Sequence, residues 1–102
     1  MTALKVKWLA GYLEGEGSFN YHCYSQRIGF QTTDVDVAEK AARLLGGEVK
    51  GPIMRAKGRQ PIYYVQVYGD KARKWMKVLK PHMGTRRREQ ITDALSRRGK
   101  AR

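Results

Sequence analysis

Residues 8–19 read Trp-Leu-Ala-Gly-Tyr-Leu-Glu-Gly-Glu-Gly-Ser-Phe, and the spacing of their glycines and acids bears directly on chemistry. Gly11 and Gly15 stand four apart in a stretch of helical periodicity, so they lie one above the other on one helix face. Each glycine inside a helix costs roughly 0.5–1 kcal/mol relative to alanine. Removing two side chains there permits close approach by another helix, a device best documented in membranes but steric in origin. A second copy of the same helix, packed about a two-fold axis, is the simplest partner. Glu16 then sits at the helix end beside that axis, near its symmetry mate. Two neighbouring carboxylates repel unless a cation lies between them, and a divalent metal is the natural one. Metal held by carboxylates and phosphate recurs in phosphodiester hydrolysis. Plainer readings stand beside these: Glu16 as an exposed turn carboxylate, and the glycines packed on the chain's own sheet.

The charge balance points the same way. The 102 residues carry 21 Lys plus Arg against 9 Asp plus Glu, a net charge of +12, and the pI is about 10.2. Such an excess suits a polyanion, and nucleic acid is the leading candidate. The single cysteine, Cys23, rules out an internal disulfide and leaves no Cys-based zinc site. His22 and His82 are far apart and lack partners at metal spacing. No apolar run is long enough to span a membrane. Met1 to Lys7 lacks the pattern of a signal peptide, so an intracellular protein of cytoplasm or nucleoid is expected.

The elements that must position these residues follow from periodicity. A first helix is expected over Leu4 to Glu14, with Leu4, Trp8, Gly11, Tyr12 and Gly15 on one face and Val6, Leu9 and Leu13 on another. Gly17-Ser18 breaks it. Phe19, Tyr21 and Cys23 alternate with polar residues as a strand, Ser25-Gln26-Arg27 reads as a hairpin turn, and Ile28, Phe30 and Thr32 alternate in a second strand. On this register Cys23 is a buried thiol beside Phe19. Thr33 or Asp34 caps a helix with Val35, Ala38, Ala41, Ala42 and Leu45 inward, and Gly46-Gly47 ends it. The pattern then repeats. A strand runs from Glu48 to about Lys57 with a bulge at Gly51-Pro52, residues 57–61 turn, and Ile62 to Tyr68 form the strongest strand. Gly69-Asp70 opens a helix with Ala72, Trp75, Met76 and Leu79 inward, and Pro81 stops it. A last helix spans about Thr85 to Ser96 with Ile91, Ala94 and Leu95 inward. The reading is an α+β domain over residues 1–96, in the order α-ββα-ββα-α, with a basic tail at 97–102.

With that order in place, Leu9 to Gly17 (LAGYLEGEG) resembles the signature of the LAGLIDADG homing endonucleases. The first three letters and the final glycine match; Tyr12 and Leu13 replace apolar residues, and Glu14 and Glu16 replace the two aspartates. The following Ser-Phe, the segment Phe30 to Thr33 and the Leu79-Lys80-Pro81 run before a basic stretch are also similar, so the resemblance spans roughly Trp8 to Leu95. It implies a four-stranded antiparallel, saddle-like sheet lying along the DNA major groove. It implies a homodimer seamed by Trp8, Gly11, Tyr12 and Gly15, because the signature occurs once. It implies Mg2+ or Mn2+ held by the Glu16 carboxylate and the Gly15 carbonyl, one strand cut per subunit, and Arg86 as the nearby basic residue, with Arg88 second. Gln31 and Asp34 fall where the family places polar residues near the site. The activity implied is site-specific double-strand cleavage of a long pseudo-palindromic site in intron or intein mobility. The same scaffold is also compatible with a DNA-binding regulator without cleavage, or with an intron RNA maturase.

The outward strand residues supply the expected DNA face: Asn20, His22 and Tyr24 on the first strand, Gln31 and Thr33 on the second, Arg27 at its turn, and Lys50, Arg55, Lys57, Arg59, Tyr64 and Gln66 on the last two. Asn and Gln can read adenine and Arg can read guanine in the major groove. Arg86, Arg87 and Arg88 place three cations at a helix start, where they oppose the helix dipole, so the run is expected to meet phosphate. The tail (Arg97, Arg98, Lys100, Arg102) is expected to touch phosphate without reading sequence.

Overall fold

A computed structural model describes residues 2–97. The elements run α1 (Ala3–Glu16), β1 (Ser18–His22), β2 (Ser25–Thr32), α2 (Val35–Leu45), β3 (Val49–Ile53), β4 (Ile62–Tyr68), α3 (Gly69–Leu79), a 3-10 turn (Lys80–His82) and α4 (Thr85–Ser96). The sheet has strand order β1-β2-β4-β3 with every neighbour antiparallel. This is the expected α-ββα-ββα-α arrangement. Among the described residues no helix is long and apolar enough to cross a membrane.

Local signals explain the boundaries. Thr2 caps α1 by accepting from Lys5 N–H. The Asp34 carboxylate accepts from Asp36 and Val37 N–H and so starts α2, while Gly46 ends it in the left-handed region at φ 80°. Trp75 Nε1 donates to the Leu45 carbonyl, so α3 seals the end of α2. One sheet face is covered by helices: Phe19, Ile28, Phe30, Val65 and Val67 pack there against Leu9, Leu13, Leu45, Met76 and Ile91. Apolar residues alternating along each strand put the remaining side chains on the opposite face.

Three expectations about the strands are corrected. The β1–β2 turn is Cys23-Tyr24, not residues 25–27; both residues have positive φ (53° and 64°), as a tight two-residue hairpin requires. Cys23 is therefore exposed rather than buried, and Tyr24 stands at the hairpin tip, outside the strand. Ser25, Gln26 and Arg27 belong to β2, pairing with His22, Tyr21 and Asn20. Finally, β3 stops at Ile53 rather than near Lys57, after the register shift between Lys50 and Ile53. Arg55 lies in the connection to β4, whose turn Lys57 and Arg59 occupy.

Candidate functional site

Helix α1 buries Leu9, Ala10 and Leu13 in the core. On another side Gly11 and Gly15 are exposed, and a Cβ added to either would meet nothing within 4 Å. The glycines therefore do not serve packing on this chain's own sheet. The two aromatic seam candidates sit lower, half-buried against the core. Trp8 and Tyr12 stack with ring centroids 5.6 Å apart, Tyr12 meets Phe30 edge-on at 5.2 Å, and Lys40 Nζ lies 4.1 Å over Trp8.

Glu16 is the last residue of α1 and is exposed. Gly17 N–H makes the last helical bond, to the Leu13 carbonyl, and the helix ends there because the Gly17 backbone turns extended (φ −83°, ψ 164°). Gly17 tolerates no side chain, since an added Cβ would stand 2.8 Å from the Leu13 carbonyl oxygen. The Gly15 carbonyl, one of the uncapped acceptors of that last turn, has no hydrogen-bond partner among the described residues. The charges of Glu16 and of Asp34, the N-cap of α2, both act on Tyr12. Burial raises the Tyr12 pKa; neighbouring Thr32 partly offsets this, and the charges of Glu16 and Asp34 add to it. No hydrogen bond of ordinary geometry closes on the Tyr12 hydroxyl, although Thr32 lies beside it.

Among the described residues, no three His, Cys, Asp or Glu side chains gather as a metal cluster. One chain instead offers a free carboxylate and a free carbonyl at the end of α1. That partial oxygen set fits Mg2+, which keeps several waters and is completed by one or two carboxylates and substrate phosphates.

Beside Glu16 opens a groove of the outward sheet face, lined also by Arg27, Gly29, Gln31, Tyr64 and Gln66. Strand register builds this surface in rows. Asn20 pairs with Arg27 and Arg27 with Tyr68; Gly29 faces Gln66; Gln31 pairs with Tyr64 and Tyr64 with Lys50. The Arg27 guanidinium lies over Gly29, where an added Cβ would come within 3.2 Å of its Nη2. Its Nε is buried and unpaired, as is Asn20 Oδ1. Asn20 Nδ2 donates to Ser18, and Tyr68 donates to Gln66 Oε1 at 2.9 Å. Gln31, His22 and Thr33 are exposed, the last just beyond β2. Lys50 stands 3.9 Å from Glu48, a pair open to solvent. Arg55 Nε donates to the Gln60 carbonyl and closes the exposed 54–60 loop that carries Lys57 and Arg59.

The arginine run divides. Arg86 and Arg88 are exposed at the start of α4. Arg87, expected to meet DNA, is 7% exposed and turned inward. Its Nε donates to the Glu14 carbonyl at 2.8 Å and its Nη1 to Gln90 Oε1 at 2.9 Å. The reason is helical geometry: 100° per residue cannot keep three consecutive side chains on one face, and the middle one finds the carboxyl end of α1. Glu14 answers through its side chain, accepting from Gly84 N–H at 2.7 Å where α4 begins. The two helices thus satisfy each other's ends, and Glu14 has a structural role. Of the tail, Arg97 pairs with Asp93 at 3.3 Å; residues 98–102 lie outside the described residues.

Two residues escaped the sequence reading. Tyr68 continues the alternation of Tyr64 and Gln66 and stands 44% exposed on the outward face; that alternation was a sufficient signal. Gln26 is buried, and its Nε2 donates to the carbonyls of Ala94 and Arg97, tying β2 to the end of α4. No local signal marks it.

Comparison with protein-family models finds no match, and neither does comparison with curated protein sequences. Solved structures do match. The homing endonuclease I-CvuI, in complex with its target in the presence of 2 mM Ca, superposes with a TM-score of 0.68 at 20% identity, over 91% of this chain and 64% of that one. The archaeal intron-encoded homing endonuclease I-Vdi141I, complexed with DNA, gives 0.62 at 18% identity, over 86% and 63%. The group I intron-encoded homing endonuclease I-CeuI, complexed with DNA, gives 0.60 at 14%, over 89% and 52%. This is the homing-endonuclease fold. The segment LAGYLEGEG lies on the opening helix of this fold. The chain spans under two thirds of the length of these endonucleases.

Proposed function

We propose that the protein is a site-specific, metal-dependent double-strand DNA endonuclease that acts as a homodimer on a long pseudo-palindromic site. The observation that carries this reading is the bare Gly11–Gly15 stripe of α1. It ends on an exposed acid at the rim of a polar, basic sheet groove. Two copies joined along that stripe set their Glu16 carboxylates side by side and align their sheets as one surface for duplex DNA. Trp8 and Tyr12 flank the seam.

Each residue has a task. Asn20, His22, Arg27, Gln31, Thr33, Lys50, Tyr64 and Gln66 present hydrogen-bonding groups to base edges and phosphates, with Arg55, Lys57 and Arg59 reaching further along the groove. Glu16 and the Gly15 carbonyl hold Mg2+ or Mn2+. When bound, the cation supplies positive charge at the scissile phosphate and acidity to water. Gln31, in the same groove as Glu16, orients water by hydrogen bonding. Arg86 supplies a guanidinium charge that stabilises the phosphate. Arg88 binds a flanking phosphate. The buried Arg87 makes no DNA contact and holds α1 against α4.

A cleavage selection on randomised duplex DNA with magnesium tests this. Wild type is expected to cut a preferred site, and Glu16→Gln to bind that site without cutting. Equal cutting by both would refute the catalytic assignment; binding without cutting by wild type would favour a regulator; preference for structured intron RNA would favour a maturase.

A further inference from the structure

The outward sheet face is polar and basic along most of its length, yet one end carries two isoleucines side by side. Ile53 on β3 pairs with Ile62 on β4. Along β4, Tyr63, Val65 and Val67 pack on the core, so Ile62 shares the outward face with Tyr64 and Gln66. Ile53 reaches that face only through the register shift. From the Lys50–Tyr64 pair to the Ile53–Ile62 pair, β3 advances three residues while β4 advances two. Without the extra residue, alternation would turn Ile53 to the face opposite Lys50, toward the helices. Neither isoleucine is part of the core cluster. Ile53 is 46% exposed and lines the groove together with Glu16, Arg27, Gln31 and Tyr64. The bulge thus turns outward a side chain whose burial would have added stability.

We propose that Ile53, backed by Ile62, is a specificity-determining residue that covers the C5-methyl group of a thymine in the major groove. The inference rests on the DNA-binding part of the reading above. The occupant follows from the setting. The pair is bordered by the cations and amide of Arg27, Lys50 and Gln31, on a chain of net charge +12, so its ligand is anionic overall but offers an apolar point. In the major groove the thymine methyl is the apolar group that a base edge presents. Isoleucine has no donor or acceptor and cannot read a hydrogen-bonding edge. It favours thymine by removing the methyl from water, and it disfavours cytosine by leaving the N4 amino group desolvated without a partner. Ile53 lies at the Glu16 end of the groove, whereas His22 lies at the hairpin end of β1. The thymine it reads is therefore closer to the cut than the base that His22 reaches.

The test is a thymine-to-uracil scan of the duplex that wild type selects, because uracil lacks only the methyl and keeps every hydrogen-bonding group. Full-length wild type, Ile53→Ala and Ile62→Ala are titrated without metal onto each substituted duplex, read by fluorescence anisotropy. For wild type, uracil at one thymine of a half-site should weaken binding about fourfold, the scale of one methyl group removed from water. That thymine should lie nearer the cut than the base whose identity ceases to matter in His22→Ala. Ile53→Ala should bind the thymine and uracil duplexes equally at that position, with circular dichroism unchanged, and Ile62→Ala should reduce the difference. A selection repeated with Ile53→Ala should lose its thymine preference there and nowhere else. A selected site with no methyl effect at any thymine, or with a methyl effect that survives in Ile53→Ala, would overturn the inference and leave the nuclease reading standing. Weaker self-association of Ile53→Ala beside a silent scan would also overturn it, by assigning the pair to contact between copies. No preferred duplex for wild type would remove both.

Discussion

Replacing Gly11 and Gly15 together by alanine should strengthen the isolated chain and weaken the pair, two effects of opposite sign from one change. Nothing stands within 4 Å of either new Cβ, and neither glycine has a positive φ, so the monomer accommodates both methyls without strain. Gly11 lies mid-helix, where alanine gains roughly 0.5–1 kcal/mol; Gly15, in the last turn, gains less. Summed, the monomer should be more stable by about 1 kcal/mol. In a two-fold seam every methyl appears twice, so four are driven between helices that the bare stripe had let approach. Overpacking of that kind costs roughly 1–3 kcal/mol, or about a five- to 150-fold weaker dimer. Sedimentation equilibrium gives the dissociation constant, and urea unfolding well below it gives the monomer's stability. An unchanged dissociation constant would refute the seam; a destabilised monomer would show that the stripe serves the chain's own packing.

Three further substitutions separate the tasks of individual arginines. Arg87→Met removes a buried donor to the Glu14 carbonyl and leaves Gln90 unpaired. It should cost about 2–3 kcal/mol in urea unfolding, whereas Arg88→Met should stay within about 0.5 kcal/mol and flatten the salt dependence of DNA binding by about one ion. Arg27→Ala should cost roughly 1–3 kcal/mol of discrimination at one guanine of the selected site, read by competition among site variants. A uniform loss across all variants would instead make Arg27 a phosphate contact.

Much of this architecture is legible in local pattern. Helical spacing in residues 35–45, the Asp34 cap and the Gly46 stop suffice for α2, because a cap and a left-handed glycine act within one turn. Alternation in residues 62–68 suffices for β4 and even contained Tyr68. The first hairpin was harder. Its tip holds Cys23 and Tyr24, neither a residue that favours positive φ, and only the partnering of β2 with β1 and β4 holds them there. The same pairing turned Gln26 from a presumed turn residue into the buried clamp on α4.

Sequence alone determined the things that depend on near neighbours and on totals: the order of elements, the basic excess, the glycine stripe of α1 and the acid at its end. Tertiary packing decided what depends on distant partners. It sent Arg87 inward to the end of α1 while leaving Arg86 and Arg88 outside, because an orphaned helix carbonyl waits at only one angle around α4. It left Gly11 and Gly15 uncovered, which no count of apolar residues could have established.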